Sequence, residues 1–139
     1  MDKMDLIRAI KLSTAGMKAQ GTRLRVISEN IANADSLPEN PGDLPYRRKE
    51  VTFKNVLDRS IGADKVEVDK IVYDKTKFEK KFDPQHPAAD KDGYVLVPNV
   101  NPLVEMMDMR EAERSYDANL NIIQVSKRML NRTIDMLRQ

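Results

Sequence analysis

The amino-acid sequence predicts a mainly α protein with a small β-containing middle. Long N- and C-terminal helices are expected to pair as an antiparallel coiled coil, with short strands between them. Three observations predict this. Apolar residues recur every seven positions at both ends of the chain, and prolines crowd into the middle. The composition is also poor in the large apolar groups that a compact core needs. Of 139 residues, 33% are charged and 5% aromatic, Trp is absent, and the mean hydropathy is -0.59. Such a profile suits long solvated helices, or a chain that borrows its core from neighbours.

The first helix is expected within residues 1–34. No proline interrupts the stretch from Met4 to Ala34, and Ile10, Met17, Leu24 and Ile31 stand seven apart. Leu6, Ser13, Gln20 and Ile27 interleave with them at alternating spacings of four and three. That is the seam of a coiled coil, narrower than the apolar stripe of a globular surface helix. Gly16 and Gly21 each cost a helix about 1 kcal/mol relative to Ala, so this helix is expected to order together with a partner.

Residues 35–101 read as a loop- and strand-rich middle segment. ADSLPENPGDLPY carries three prolines and a glycine and is a loop. YRRKEVTFKNV and KVEVDKIVYD alternate partly with period two, through Val51 and Phe53, then Val66 and Val68. A short apolar run, Tyr94 to Val97, lies in a turn-rich segment. Three or four short strands are expected here.

The second helix is expected in residues 102–139. Pro102 suits the first helical position, with Asn101 as its cap. Met109, Tyr116, Ile123, Leu130 and Leu137 keep the seven-residue beat, with Met106, Glu113, Leu120, Lys127 and Ile134 between them. Acidic residues crowd its front half and basic ones its back half, which suits the helix dipole. Paired, the two seams are expected to bury most of the apolar surface in the protein.

Several function classes find no support in these residues. The 24 Lys and Arg nearly balance 22 Asp and Glu, for a net charge of +2, so no global field holds the chain on nucleic acid or an anionic membrane. Without cysteine, disulfides and thiolate metal sites are excluded. No cofactor is expected. No run approaches the roughly 18 apolar residues of a membrane span, and no cleavable signal peptide is expected. The single histidine, His86, has no thiol to activate and no second histidine with which to share a metal. Its plain reading is a solvated loop residue rather than a general base. Asp90-Lys91-Asp92-Gly93 lacks the further ligands of a calcium loop, and a turn with Gly93 at positive φ accounts for it. Arg47, Arg48 and Lys49 are the densest basic cluster, read as candidate contacts to a neighbouring subunit. Met106, Met107 and Met109 are read as flexible packing rather than a copper site.

One set of strings is more specific. AGMKAQGTRLRVISENIANAD (Ala15 to Asp35) resembles the N-terminal signature of the flagellar axial proteins, with Gly16 and Gln20 in its Gly-x-x-x-Gln pattern and Asn30, Ile31, Ala32 and Asn33 as its Asn-Ile-Ala-Asn motif. PYRRKEVTF, DPQHPAADKDGYVLVPNVNPLVEMMDM and EAERSYDANL resemble segments of the FlgC-type proximal rod proteins within that family. Only about residues 55–82 lie outside the resemblance. The chain departs from the family pattern at DSLPENPGDLP, where a Thr- and Gly-rich turn is usual, and in the Lys-rich stretch Lys65 to Lys81.

The resemblance implies a non-enzymatic structural subunit of the bacterial flagellar basal body. Its terminal helices would pair into the inner layer of a tubular rod spanning the periplasm or cell wall, with the middle segment outside. It implies copies of itself and other rod proteins as partners, and export through the flagellar type III apparatus without a cleaved signal. Direct membrane insertion and nucleic-acid binding are not implied. The expected assembly interface is the two seams: Leu6, Ile10, Met17, Leu24, Ile27 and Ile31 on one helix. On the other it is Met106, Met109, Tyr116, Leu120, Ile123, Leu130, Ile134 and Leu137. Two other readings compete, a different subunit of the same tube and a free-standing helical-hairpin adapter.

Overall fold

Thirty consecutive residues, Lys3–Ala32, form α1, and thirty-seven, Pro102–Arg138, form α2. The computed structural model describes residues 2–139. At 1.5 Å per residue the helices are about 45 and 55 Å long. Asn101 caps α2, its side chain accepting from the Leu103 N–H at 3.1 Å, with Pro102 in the first turn. α1 ends where Asn33 takes a non-helical conformation, its N–H bonding back to the Glu29 carbonyl and that of Ala34 to the Ile31 carbonyl.

The helices run antiparallel along each other. Residues near the start of α1 meet the back of α2, and its end meets the front: Gly16 lies against Asn119, Arg23 pairs with Glu111, and Asn30 reaches Glu105.

The middle contains four strands in two hairpins. β1 (Lys49–Asp58) and β2 (Ala63–Tyr73) pair antiparallel. β3 (Glu79–Phe82) and β4 (Tyr94–Val97) form a second two-stranded sheet. In the first hairpin the register shifts between Thr52 and Phe53, leaving Asp69 as the extra residue of a bulge. Its tight turn is closed by Gly62 at φ +65 and by the Asp58 carbonyl, which accepts the Ile61 and Gly62 N–H groups. This hairpin packs against α1.

β3 falls in the stretch that carried no strand expectation, and its four residues, EKKF, are all exposed. Strands without a buried face show no alternation to read.

The buried core is small: Leu6, Ala19, Val26 and Ile27 of α1, Ala112 of α2, and Ile61, Ala88 and Val95 of the middle. The expectation that the helix seams bury most of the apolar surface does not hold. Leu103, Met107, Met136 and Leu137 of α2 are each 70% or more exposed. The reason is where the helices touch. Along α2 the buried residues are Glu105, Ala112 and Ser126, one position before Met106, Glu113 and Lys127. Along α1 they include Ser13 and Gly16. Small side chains let two helix backbones come close, so large apolar residues are displaced to the flanks of the contact.

Candidate functional site

The end of α1, the start of β1 and the start of α2 meet at one buried polar junction, and Asn30 is its centre. Asn30 is 1% exposed. Its Oδ1 accepts from the Tyr46 hydroxyl at 2.8 Å and the Lys49 N–H at 3.0 Å. Its Nδ2 donates to the Lys49 carbonyl at 2.8 Å and to Glu105 Oε2 at 3.3 Å. One amide thus holds both backbone groups of the first β1 residue, a role that an isolated buried polar group could not sustain without partners.

Glu105 is fully buried and is the ion-pair partner of Arg48 Nε. Arg48 also contacts Glu50, Asp74 at 3.1 Å and Asp108 at 3.8 Å. Burial works against its charge, but the hydrogen bond and field of Glu105 outweigh it and raise its pKa above the ordinary arginine value. Asn99 completes the frame: its Oδ1 accepts the Arg48 N–H at 2.7 Å, and its Nδ2 donates to the Asp74 and Thr76 carbonyls.

The basic cluster is engaged within the chain. Arg47 donates to the Asp74 and Thr76 carbonyls and lies 4.2 Å over the Phe78 ring. Lys49 Nζ sits 3.3 Å from Glu29, and that hydrogen bond raises its pKa. Charges flanking a loop are drawn inward where buried carboxylates face them.

The other motif residues lie close by. Asn33 caps the helix through its side-chain bond to the Glu29 carbonyl at 2.9 Å and accepts from Ser36 Oγ at 3.0 Å. Ile31 is half-buried and Ala32 exposed. Gly16 is buried at the helix crossing, where a Cβ would stand 2.7 Å from Asn119 Nδ2. Gln20 is half-buried, and its Oε1 has no hydrogen-bond partner among the described residues.

The expected interface residues are distributed unevenly. Leu6 and Ile27 are buried. Ile10, Met17, Leu24, Met109, Tyr116, Leu120, Ile123, Leu130 and Ile134 are half-buried, while Met106 and Leu137 are exposed. Most of them flank the line of closest approach rather than filling it. Sequence reasoning missed Glu105, Tyr46, Asp74 and Asn99 as site residues. One signal for the helix contact was present, because Glu105, Ala112, Asn119, Ser126 and Thr133 also recur every seven residues.

The remaining chemistry candidates are structural. His86 Nδ1 accepts the Ala88 N–H at 3.0 Å within its turn. Asp90 accepts from the Asp92 and Tyr94 N–H groups, and Gly93 takes φ +87 as expected. Among the described residues, no group of three or more His, Asp or Glu comes together to hold a metal. A cleft of about 560 Å³ between α1 and β2 gathers Lys11, Lys18 and Lys65 with Asp58 and Glu67, but Lys65 is already paired with both carboxylates. No described helix is long and apolar enough to cross a membrane.

The site is thus a polar latch that closes one end of a long antiparallel helix pair made from the two ends of the chain, an arrangement of the structural rather than the catalytic class. Comparison with known proteins places it more closely. Residues 91–136 match the family described as flagellar basal body rod FlgEFG protein C-terminal. The chain is 50% identical over 133 residues to the flagellar basal-body rod protein FlgC of Agrobacterium fabrum, covering 96% of each chain. It is 38% identical to FlgC of Borreliella burgdorferi over 152 residues, covering 96% of this chain and 99% of that one. With FlgC of Salmonella typhimurium it shares 32% identity over 133 residues, covering 96% and 98%. The chain belongs to the FlgC family of flagellar basal-body rod proteins and is a structural subunit of the rod.

Proposed function

We propose that the chain is a non-catalytic subunit of the proximal rod, passing torque from motor to hook as part of a stiff helical tube. In this reading residues 1–34 and 102–139 form an inner antiparallel coiled coil, and residues 35–101 form an outer segment. The observation that carries it is the half-buried apolar line on each helix, Ile10, Met17, Leu24 and Ile31 on α1 with Met109, Tyr116, Ile123 and Leu130 on α2. A self-contained hairpin would gain by burying these lines; a subunit needs them for its neighbours. Copies of the chain and other rod proteins are the partners that fit, each patch meeting a different one. A chain with a small core and no disulfide is also suited to passage unfolded through the flagellar type III export apparatus, to a rod that crosses the periplasm or cell wall.

The test is an immunoblot for the chain on purified hook–basal bodies beside the soluble fraction of the same cells. Enrichment in the basal bodies is expected. A signal confined to the soluble fraction of cells that build flagella would overturn the reading and favour a free-standing adapter.

A further inference from the structure

One edge of β2 is free. β1 is its one neighbour in a two-stranded sheet. Among the described residues, the β2 backbone bonds only to β1, through the ladder and through the Thr52 hydroxyl, which donates to the Lys70 carbonyl. A strand so placed keeps a row of unpaired N–H and C=O groups along its outer edge.

That edge opens on the cleft of about 560 Å³ beside α1. Four consecutive β2 residues, Lys65 to Val68, line it. Consecutive strand residues point to opposite faces of a sheet, so a space bordered by all four borders the edge between the faces. The four span about 13 Å along the strand. On the facing wall Ala15 and the buried Ala19 leave room with their short side chains.

Charge sets what fits. Lys65 is paired with Asp58 and Glu67. The ion pairs of α1 are made by Asp5, Arg8, Arg23, Arg25 and Glu29. Lys11 and Lys18, exposed at the cleft, have none among the described residues. Seven residues apart, they stand about 10 Å apart along the helix axis. Carboxylates two or four residues apart on a strand, about 7 or 13 Å, bracket that distance, and flexible lysine stems close the difference. The chain's own acidic loop is a poor occupant, because Pro38, Pro41 and Pro45 lack the N–H that a ladder needs.

We infer that this cleft binds an extended segment of a partner protein, alternating acidic with apolar residues, which adds to β2 as a third strand. Main-chain hydrogen bonds along the edge hold such a segment, and side-chain contacts select it. The site belongs to the chain by itself and does not depend on the rod reading.

The probe is a capped six-residue peptide alternating Glu and Val, titrated into the isotope-labelled full-length chain and followed by NMR. Saturable shifts of the Lys65–Val68 amides are expected, with slower hydrogen exchange at those pointing away from β1. The same peptide with Lys in place of Glu is expected to shift none of them. Nor should the Glu peptide N-methylated at every residue, which keeps its charge but donates no N–H. Lys11→Glu with Lys18→Glu, both at exposed positions, is expected to weaken binding roughly tenfold. No shift at Lys65–Val68 with the Glu peptide, or an equal shift with the Lys peptide, would overturn the inference. Equal binding of the N-methylated peptide would overturn the third strand. Shifts at the same amides when the chain alone is concentrated would give the cleft to a second copy instead. Enrichment in basal bodies tests the rod reading separately and is moved by none of these results.

Discussion

Asn30 shows how much one amide can hold. Its side chain bonds the phenol of Tyr46, both backbone groups of Lys49 and the carboxylate of Glu105. Asn30→Ala leaves buried donors and acceptors unpaired, each costing about 1–3 kcal/mol. The urea midpoint of the folded chain should therefore fall by the equivalent of about 3 kcal/mol, with an unchanged denaturant slope; an unshifted midpoint would mean that water replaces the amide. The two helical glycines separate in the same way. A Cβ on Gly21 meets nothing within 4 Å, so Gly21→Ala should stabilise by about 1 kcal/mol. Gly16→Ala should gain less, because the Asn119 amide stands 2.7 Å from the new Cβ and must move. Adding Asn119→Ala should release the withheld gain, readable as a coupling in a double-mutant cycle of urea midpoints. From sequence the two glycines carry the same helix penalty. Only the neighbour across the helix distinguishes them.

At the scale of the element, three turns share one device. Asp58 and Asp74 each accept from the hydroxyl and N–H of the residue two on, Ser60 and Thr76, and Asp90 accepts from Tyr94 and Asp92 N–H. These hydrogen bonds hold all three carboxyls below their ordinary pKa. At Asp58 and Asp74 the hydroxyl contributes most, and at Asp90 the Tyr94 N–H. A lowered folded-state value means the unfolded chain binds protons first. The stabilisation is thus complete above about pH 4–5 and is lost as pH falls through the lowered values. Asp90→Asn keeps an acceptor oxygen but no titrating charge. Urea midpoints measured from pH 7 down to 3 should then fall less steeply than those of the wild-type chain, and an identical acid profile would exclude Asp90 as a contributor. The long helices, Pro102 with its Asn101 cap, the Gly93 turn and the Tyr94–Val97 strand were all legible in the sequence, because each rests on local chemistry. β3 was not, since an exposed four-residue strand has no buried face to set a period.

For the whole molecule, the helix pair buries Ala112, Ser126, Ser13 and Gly16 where it closes and leaves many larger apolar residues of α2 exposed. Ile123→Asp or Leu130→Asp places a charge on a half-buried apolar line that, in the rod reading, neighbouring subunits cover. An unpaired charge is costly to bury, so cells carrying either variant should lose motility and the chain should leave the basal-body fraction. Soluble chain with normal helical content would show that assembly, rather than folding, is what fails. Normal swimming would exclude these lines from the contact. The polar latch at Asn30, Glu105 and Arg48 belongs to this scale too, since it joins residues up to 75 positions apart and closes only when both ends of the chain meet.

The sequence by itself determined the two helices, the turn-rich middle with its short strands, and the family, because heptads, caps and motif strings are local patterns. Tertiary structure alone decided which side of each helix faces inward. Two heptad lines one residue apart satisfy the same seven-residue period. The choice fell to the line of Glu105, Ala112 and Ser126, because Ala112 and Ser126 are small enough for the backbones to approach closely and Glu105 finds Asn30 and Arg48 as partners. It likewise decided that Arg48 faces the buried carboxylate of Glu105, since a charge is placed by what surrounds it in space and not by what adjoins it in the chain.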